Sequence, residues 1–271
     1  MRLLEQIRHR RSVRTYTGEP LRREEKERIM EYAQELGNPF GVDIEFRMLD
    51  AKEHVLSSPV IVGEDTYLTG KLRRVPNGEA AFGYAFEKLL LFAVGMGLGT
   101  VWIGGTMNRK VFENAIDLQD DEVMPCVSPI GYPAEKPSLR ENLMRKGVKA
   151  DTRMEFGTLF FDRSFAQPLS PAAYPRLNDA LEMVRWAPSA VNKQPWRLLF
   201  DGNAVHFYEK HARGYVDARG WDMQKIDVGI ALAHFEMGAQ DAGFATRILV
   251  KDPGLNPPAG LDYIATCIFE G

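Results

Sequence analysis

Cysteine is scarce. The 271 residues contain two, Cys126 and Cys267, far apart and without Cys-x-x-Cys spacing, so neither a disulfide framework nor a structural zinc site is expected. A basic excess is missing as well: 34 Lys and Arg face 37 Asp and Glu, a formal net charge of −3. General nucleic-acid binding needs a broad basic field to displace counterions, and none is expected here. The first residues, Met1 to Arg11, lack the apolar core of a signal peptide, which makes a cytoplasmic protein the default. Long apolar runs are also few. From Leu89 to Asn108 no residue is charged, a length that could cross a bilayer. Gly95, Gly97, Gly99, Gly104 and Gly105 punctuate it, and aromatic belts and flanking charge bias are missing, so no membrane span is expected.

What remains is ordinary for a globular protein: 45% hydrophobic and 26% charged residues, long enough for one large domain or two small ones. Leu3 to His9 carries apolar residues at helical spacing. A charged amphipathic helix is predicted from Arg22 to Leu36, with Ile29, Tyr32, Ala33 and Leu36 on one face, stopped by Gly37-Asn38-Pro39. Strands are predicted at Val42–Leu49, Pro59–Val62, Thr100–Ile103 and Val123–Tyr132, and a buried helix at Glu79–Met96. The charged stretch Ala134–Arg153 reads as an extended surface connection and as the boundary between halves.

Beyond it the order of elements repeats. Arg163–Leu169 echoes Ser12–Leu21, and a helix at Pro175–Trp186 matches the one at Arg22–Leu36. Trp196–Phe200 and Ala204–Tyr208 flank Asp201-Gly202-Asn203, a hairpin signal. A second buried helix at Asp227–Ala242 and strands at Ala245–Val250 and Tyr263–Phe269 close the chain.

Two segments carry chemistry. In Arg10-Arg11-Ser12-Val13-Arg14, three guanidinium groups and a hydroxyl within five residues suit a phosphate. In an extended stretch Arg10, Ser12 and Arg14 point to one side. A solvated basic helix edge is the alternative. The second segment is Ala187-Pro188-Ser189-Ala190-Val191-Asn192-Lys193-Gln194-Pro195-Trp196, whose two prolines bracket Ser, Asn and Gln. A turn capped by its own Ser and Asn is the alternative there.

Together, Arg-x-Ser-x-Arg, Ala-Pro-Ser-x-x-Asn-x-Gln-Pro-Trp, Gly-Leu-Gly-Thr-x-Trp-Ile-Gly-Gly (Gly97–Gly105) and Gly131-Tyr132-Pro133 resemble the FMN-dependent nitroreductase family. The resemblance runs as scattered motifs from Ile7 to Gly271. In ordinary members one chain carries the basic segment and, some 25 residues on, the Asn-Gln-Pro-Trp loop; here the loop comes only in the second half. The resemblance therefore implies an α+β fold of mixed sheets flanked by helices, in which two related halves, residues 1–150 and 151–271, imitate the family's homodimer. One composite site would survive. It implies FMN held at its phosphate, ribityl chain and pyrimidine edge by Arg10, Ser12 and Arg14, with Arg11 at the position between facing solvent and Arg153 a further phosphate contact. Pro188, Ser189 and Asn192 would line the flavin, Gln194 less directly, with Trp102 near a ring face and the backbone of Gly104 or Gly105 near N5.

The implied activity is ping-pong hydride transfer from NAD(P)H through flavin N5 to a small nitroaromatic or quinone-type acceptor, with no catalytic side chain required. The alternatives are a flavin reductase or dehalogenase, or a non-catalytic flavin carrier or sensor; no nicotinamide-binding motif is recognisable. Monomer and homodimer are both compatible. His234, on the second buried helix, reads as a satisfied core residue.

Overall fold

The computed structural model describes residues 3–271, without the side chains of residues 139 and 140. The first half begins with helix α1 (Leu3–His9) and helix α2 (Arg23–Glu35). Strands β1 (Glu45–Asp50) and β2 (Thr66–Arg73) follow, then helix α3 (Gly78–Gly95), strand β3 (Gly99–Thr100) and helix α4 (Arg109–Ala115). Strands β4 (Glu122–Val123) and β5 (Val127–Gly131) and helix α5 (Leu139–Gly147) complete it. The second half holds helix α6 (Phe156–Leu159), strands β6 (Phe160–Asp162) and β7 (Ser164–Pro168), and helix α7 (Asn178–Trp186). Strands β8 (Trp196–Asp201) and β9 (Ala204–Lys210), helix α8 (Met223–Asp241), and strands β10 (Ala245–Leu249) and β11 (Leu261–Glu270) end the chain.

Each half builds its own sheet. Four strands of the first lie in the order β1-β2-β5-β3, with β4 paired to β2 off that path. The second has the order β10-β11-β9-β8-β6-β7. Read from the other edge, β8-β9-β11-β10 repeats β1-β2-β5-β3 strand for strand, and every neighbouring pair in both series is antiparallel. The long helix follows the second strand of each series. Mixed α+β architecture and internal duplication are thus both present in the topology.

The two long helices form the centre. Helices α3 and α8 bury residues on all faces, as befits helices held between layers. They run side by side in the same direction: Glu79 Oε1 accepts from the Asp222 N–H (3.2 Å) near their starts, and Lys88 Nζ meets Glu236 (2.7 Å) further on. Their closest approach is reciprocal. A Cβ on Gly83 would lie 2.0 Å from the Ile226 carbonyl oxygen, and one on Gly229 would lie 2.1 Å from that of Ala80. Each glycine thus faces the residue three places before its counterpart, as the self-complementary contact of a two-fold dimer requires. Helix α1 crosses over, packing Leu4 and Ile7 with Met183 of α7.

Several sequence-based expectations need correction. The stretch 134–153 is not extended, because α5 lies inside it. Pro59–Val62 forms a turn closed by Ile61 N–H to Ser58 C=O (3.1 Å), and Val62 alone makes a bridge, to Thr15. Val123–Tyr132 breaks into β4 and β5 at Pro125, which has no N–H for a ladder. Among the described residues, no helix is long and apolar enough to cross a membrane.

Candidate functional site

The segment leaving α1 runs along the edge of the first sheet. Ser12 bridges Thr100, the Val13 N–H donates to the Thr100 carbonyl (3.0 Å), and Val13 and Tyr16 enter the core. Helix α5 clasps this segment. Its Glu141, 0% exposed, accepts from the Arg14 N–H (3.0 Å) and from Thr15 Oγ1 (3.0 Å), and pairs with Arg11. Arg11 is therefore turned into an ion pair rather than out to solvent, which corrects the sequence reading.

Around it stand other guanidinium groups, two of them also paired: Arg145 with Asp151 and Arg185 with Glu182 (2.6 Å). Arg10 and Arg14 both feel the charge of Arg145, and Arg153 feels Arg10, Arg185 and Arg145. Burial, then this mutual repulsion, pushes the Arg153 pKa down to about 10, with Asp151 opposing. Burial lowers Arg10 against the pull of Glu87, and lowers Arg14 against that of Glu141. Arg153 stacks on the Trp186 ring at 4.3 Å and donates Nη1 to the Ala150 (2.8 Å) and Thr152 (2.7 Å) carbonyls. The Nε atoms of Arg10, Arg14, Arg153 and Arg185 are all buried without a hydrogen-bond partner. Half-buried like charges with spare donors are costly unless an anion joins them, so this donor set fits a phosphate group. Arg145 and Arg185 were missed in the sequence because neither belongs to a spaced motif. Arg185 does stand in the last turn of α7, two residues before the Ala-Pro-Ser loop.

That loop is strained. Val191 (φ 44°), Asn192 (φ 59°) and Gln194 (φ 47°) are non-glycine residues in left-handed conformation, and Val191 is β-branched and exposed. Internal bonds hold the shape. Ser189 Oγ accepts from the Gln194 N–H (2.9 Å), and the Ala190 N–H points at both carboxylate oxygens of Asp227 (3.2 and 3.1 Å). Asn192 Nδ2 donates to the carbonyls of Lys149 (2.8 Å) and Thr152 (3.0 Å). Gln194 is buried, its Oε1 accepting from the Met154 N–H (2.9 Å). Asn192 and Gln194 thus fasten the loop to the chain on either side of Arg153, which in turn feels Arg10. Pro188 and Ser189 lie half-buried before this fastening.

Trp102 is half-buried, edge-on to Phe86 (5.0 Å) and Phe82 (6.2 Å), and its Nε1 donates to Glu87 Oε2 (2.7 Å). Glu87 Oε1 meets His234 Nε2 (2.8 Å), while His234 Nδ1 faces the Met183 carbonyl (2.9 Å). His234 is a satisfied buried residue, as its sequence context implied, and it also fixes the carboxylate that holds Trp102. Gly104 adjoins the start of α8, where a Cβ would lie 2.7 Å from Met223 Cε. Gly105 opens to space. An open groove of about 1390 Å³ lies elsewhere, along α2, β1 and β2, and contains none of these residues. The candidate site is thus distinguished by its donor chemistry rather than by groove size.

Comparison with known proteins bears on the fold and the family. A protein from Thermotoga maritima, described as a "putative nitroreductase", superposes with a TM-score of 0.63 at 20% identity, covering 99% of this chain and 94% of that one, which supports the fold. A "Putative NADH dehydrogenase/NAD(P)H nitroreductase" from Bacteroides thetaiotaomicron matches 50% of this chain and 90% of its own at 22% identity (TM-score 0.42). An "FMN-dependent Nitroreductase" from Clostridium difficile matches 52% and 94% at 18% identity (TM-score 0.42). No curated protein matches the chain significantly. A family model described as "Putative TM nitroreductase" matches residues 2–239, and the chain belongs to that nitroreductase family.

Proposed function

We propose that this chain binds one FMN in the composite site and works as an NAD(P)H-dependent oxidoreductase on a small electron-poor acceptor of nitroaromatic or quinone type. The observation that carries the reading is the set of four buried, unpartnered guanidinium Nε atoms drawn from both sides of residue 150. Arg10, Ser12, Arg14 and Arg153 would hold the phosphate end, flanked by Arg145 and Arg185, which are paired with Asp151 and Glu182. Pro188 and Ser189 would line the cofactor, while Asn192 would act by tying the Arg153 segment to the loop. Trp102, set by Glu87, and the Gly104-Gly105 backbone would wall the opposite side. Bound there, FMN would supply the redox chemistry, taking hydride from NAD(P)H and passing it to the acceptor in a ping-pong cycle. The protein's part is to bind, orient and fix the charge around the ring.

The test is the absorption spectrum and flavin content of the purified protein, with about one FMN per chain expected. Arg10→Ala and Arg14→Ala should each weaken FMN binding by about 1.5–3 kcal/mol, a factor of roughly ten or more. Unchanged affinity in both would remove the phosphate assignment. Fast anaerobic bleaching by NADH or NADPH separates an enzyme from a flavin carrier, which should show none.

A further inference from the structure

At the far end of β9, side chains collect that the flavin reading does not use. Glu209 is 0% exposed, yet neither of its carboxylate oxygens has a hydrogen-bond partner. His211 Nδ1 lies 3.0 Å from Glu209 Oε1, without the direction of a hydrogen bond, and 3.7 Å from Asp222 Oδ2. Asp222 caps α8 through Oδ1, which accepts from the Gln224 N–H (2.9 Å), and so leaves Oδ2 available. One ligand atom from each of the three residues lies within 4.8 Å of the others. On the far side of the ring, His211 Nε2 meets Asp262 Oδ2 at 2.8 Å.

We propose that Glu209, His211 and Asp222 form a binding site for a divalent first-row transition cation, zinc being the best match, with Asp262 orienting the histidine from behind. Nitrogen and carboxylate ligands at about 2.0–2.1 Å in a tetrahedral shell stand about 3.3 Å from one another, between the two separations seen here. A carboxylate on the non-ligating ring nitrogen is the usual outer partner of a metal-bound histidine, fixing its tautomer and orientation. The buried carboxylate supplies a separate argument. Desolvating a charged, unpaired group is expensive, and among the described residues no Lys or Arg forms an ion pair with Glu209. Lys225 acts on it only from a distance. At the corresponding end of β2, before the other long helix, the chain provides its own cation: Lys71 Nζ lies 3.0 Å from Glu122 and 3.7 Å from Glu45. In the second half the position matching Lys71 is Glu209 itself, and the basic group beside it is the His211 imidazole, whose lone pair suits a metal ion. The ion would staple the end of β9 to the first turn of α8 and, through Asp262, to β11.

Titrating tag-free, chelator-washed full-length protein with Zn²⁺ in a calorimeter tests the site independently of the flavin assignment. Binding of about one ion per chain is expected, along with a rise in melting temperature, since a ligand that binds only the folded state stabilises it. Glu209→Gln keeps the side-chain volume and removes the buried charge, and His211→Ala changes a half-exposed residue, so both variants should fold. Each should weaken Zn²⁺ binding by roughly a hundredfold, and Asp262→Asn by roughly tenfold, as for an outer partner. A wild-type protein that takes up no Zn²⁺ at about 100 μM, or binding unaltered by either ligand substitution, overturns the proposal.

Discussion

Glu141 shows how one buried carboxylate can organise a whole segment of chain. It gathers Arg11, the Arg14 backbone and the Thr15 hydroxyl, so that Arg14's side chain is left free for other work. Replacing Glu141 with Ala strands these donors, and the unfolding free energy measured in urea should fall by about 3 kcal/mol. FMN retention should weaken too, because the segment holding Arg10 and Arg14 would lose its clasp. A second prediction concerns Glu25, whose carboxylate is bonded by the Arg22 side chain and also by Tyr132, and whose pKa is lowered to about 2. A depressed carboxylate pKa stabilises the fold above the unfolded value of 4.5, and that contribution disappears as the pH falls from there towards 2. Glu25→Gln should flatten the acid limb of a stability–pH curve in that window; an unchanged limb would refute the assignment. At this scale the motif residues were legible because short spacings encode them. Arg145, Arg185 and the true partner of Arg11 were not, since long-range folding brings them in.

Among the elements, the amphipathic and the all-apolar helices could be read from their periods. Strand β2 could not, because Gly70 and Lys71 interrupt it and its polar residues are satisfied from afar: Thr69 Oγ1 donates to the Cys126 carbonyl (2.8 Å), and Lys71 is paired. Helix α5 did leave a signal. Ser138 and Glu141 stand three apart, and Ser138 Oγ accepts from the Glu141 N–H (3.1 Å), a helix-start pattern that the surrounding charge obscured. The α3–α8 crossing makes the sharpest prediction for an element. A methyl group at Gly83 or Gly229 would collide with backbone, which cannot swing aside as a side-chain tip can. Gly83→Ala and Gly229→Ala should each cost about 1–3 kcal/mol or more, read as a lowered melting temperature, although alanine ordinarily favours a helix. A neutral result in both would mean the helices stand further apart.

For the whole molecule, the order of strands in the two sheets makes the duplication plain, whereas sequence gave only an echo of element types. We place the division between halves near residue 150, in the turn between α5 and α6, but the core ignores it: α1 packs on α7, and α3 on α8. Limited proteolysis there should nick the chain while leaving the fragments associated, and separation of the fragments without denaturant would count against a shared core. Flavin content near two per chain would likewise show that the second composite position had been retained.

The reciprocal glycine crossing bears on how such a chain can change over time. Two identical subunits must accept every substitution twice, once on each side of their axis. Covalent linkage removes that constraint and keeps the partner always at hand, at a high effective concentration. One half could then specialise in the Arg10–Arg14 segment and the other in a strained loop, both lending guanidinium groups to one grip, while the shared helical seam stayed nearly symmetric. Asymmetry of chemistry around a nearly symmetric helical seam is what this arrangement permits, and a true homodimer does not.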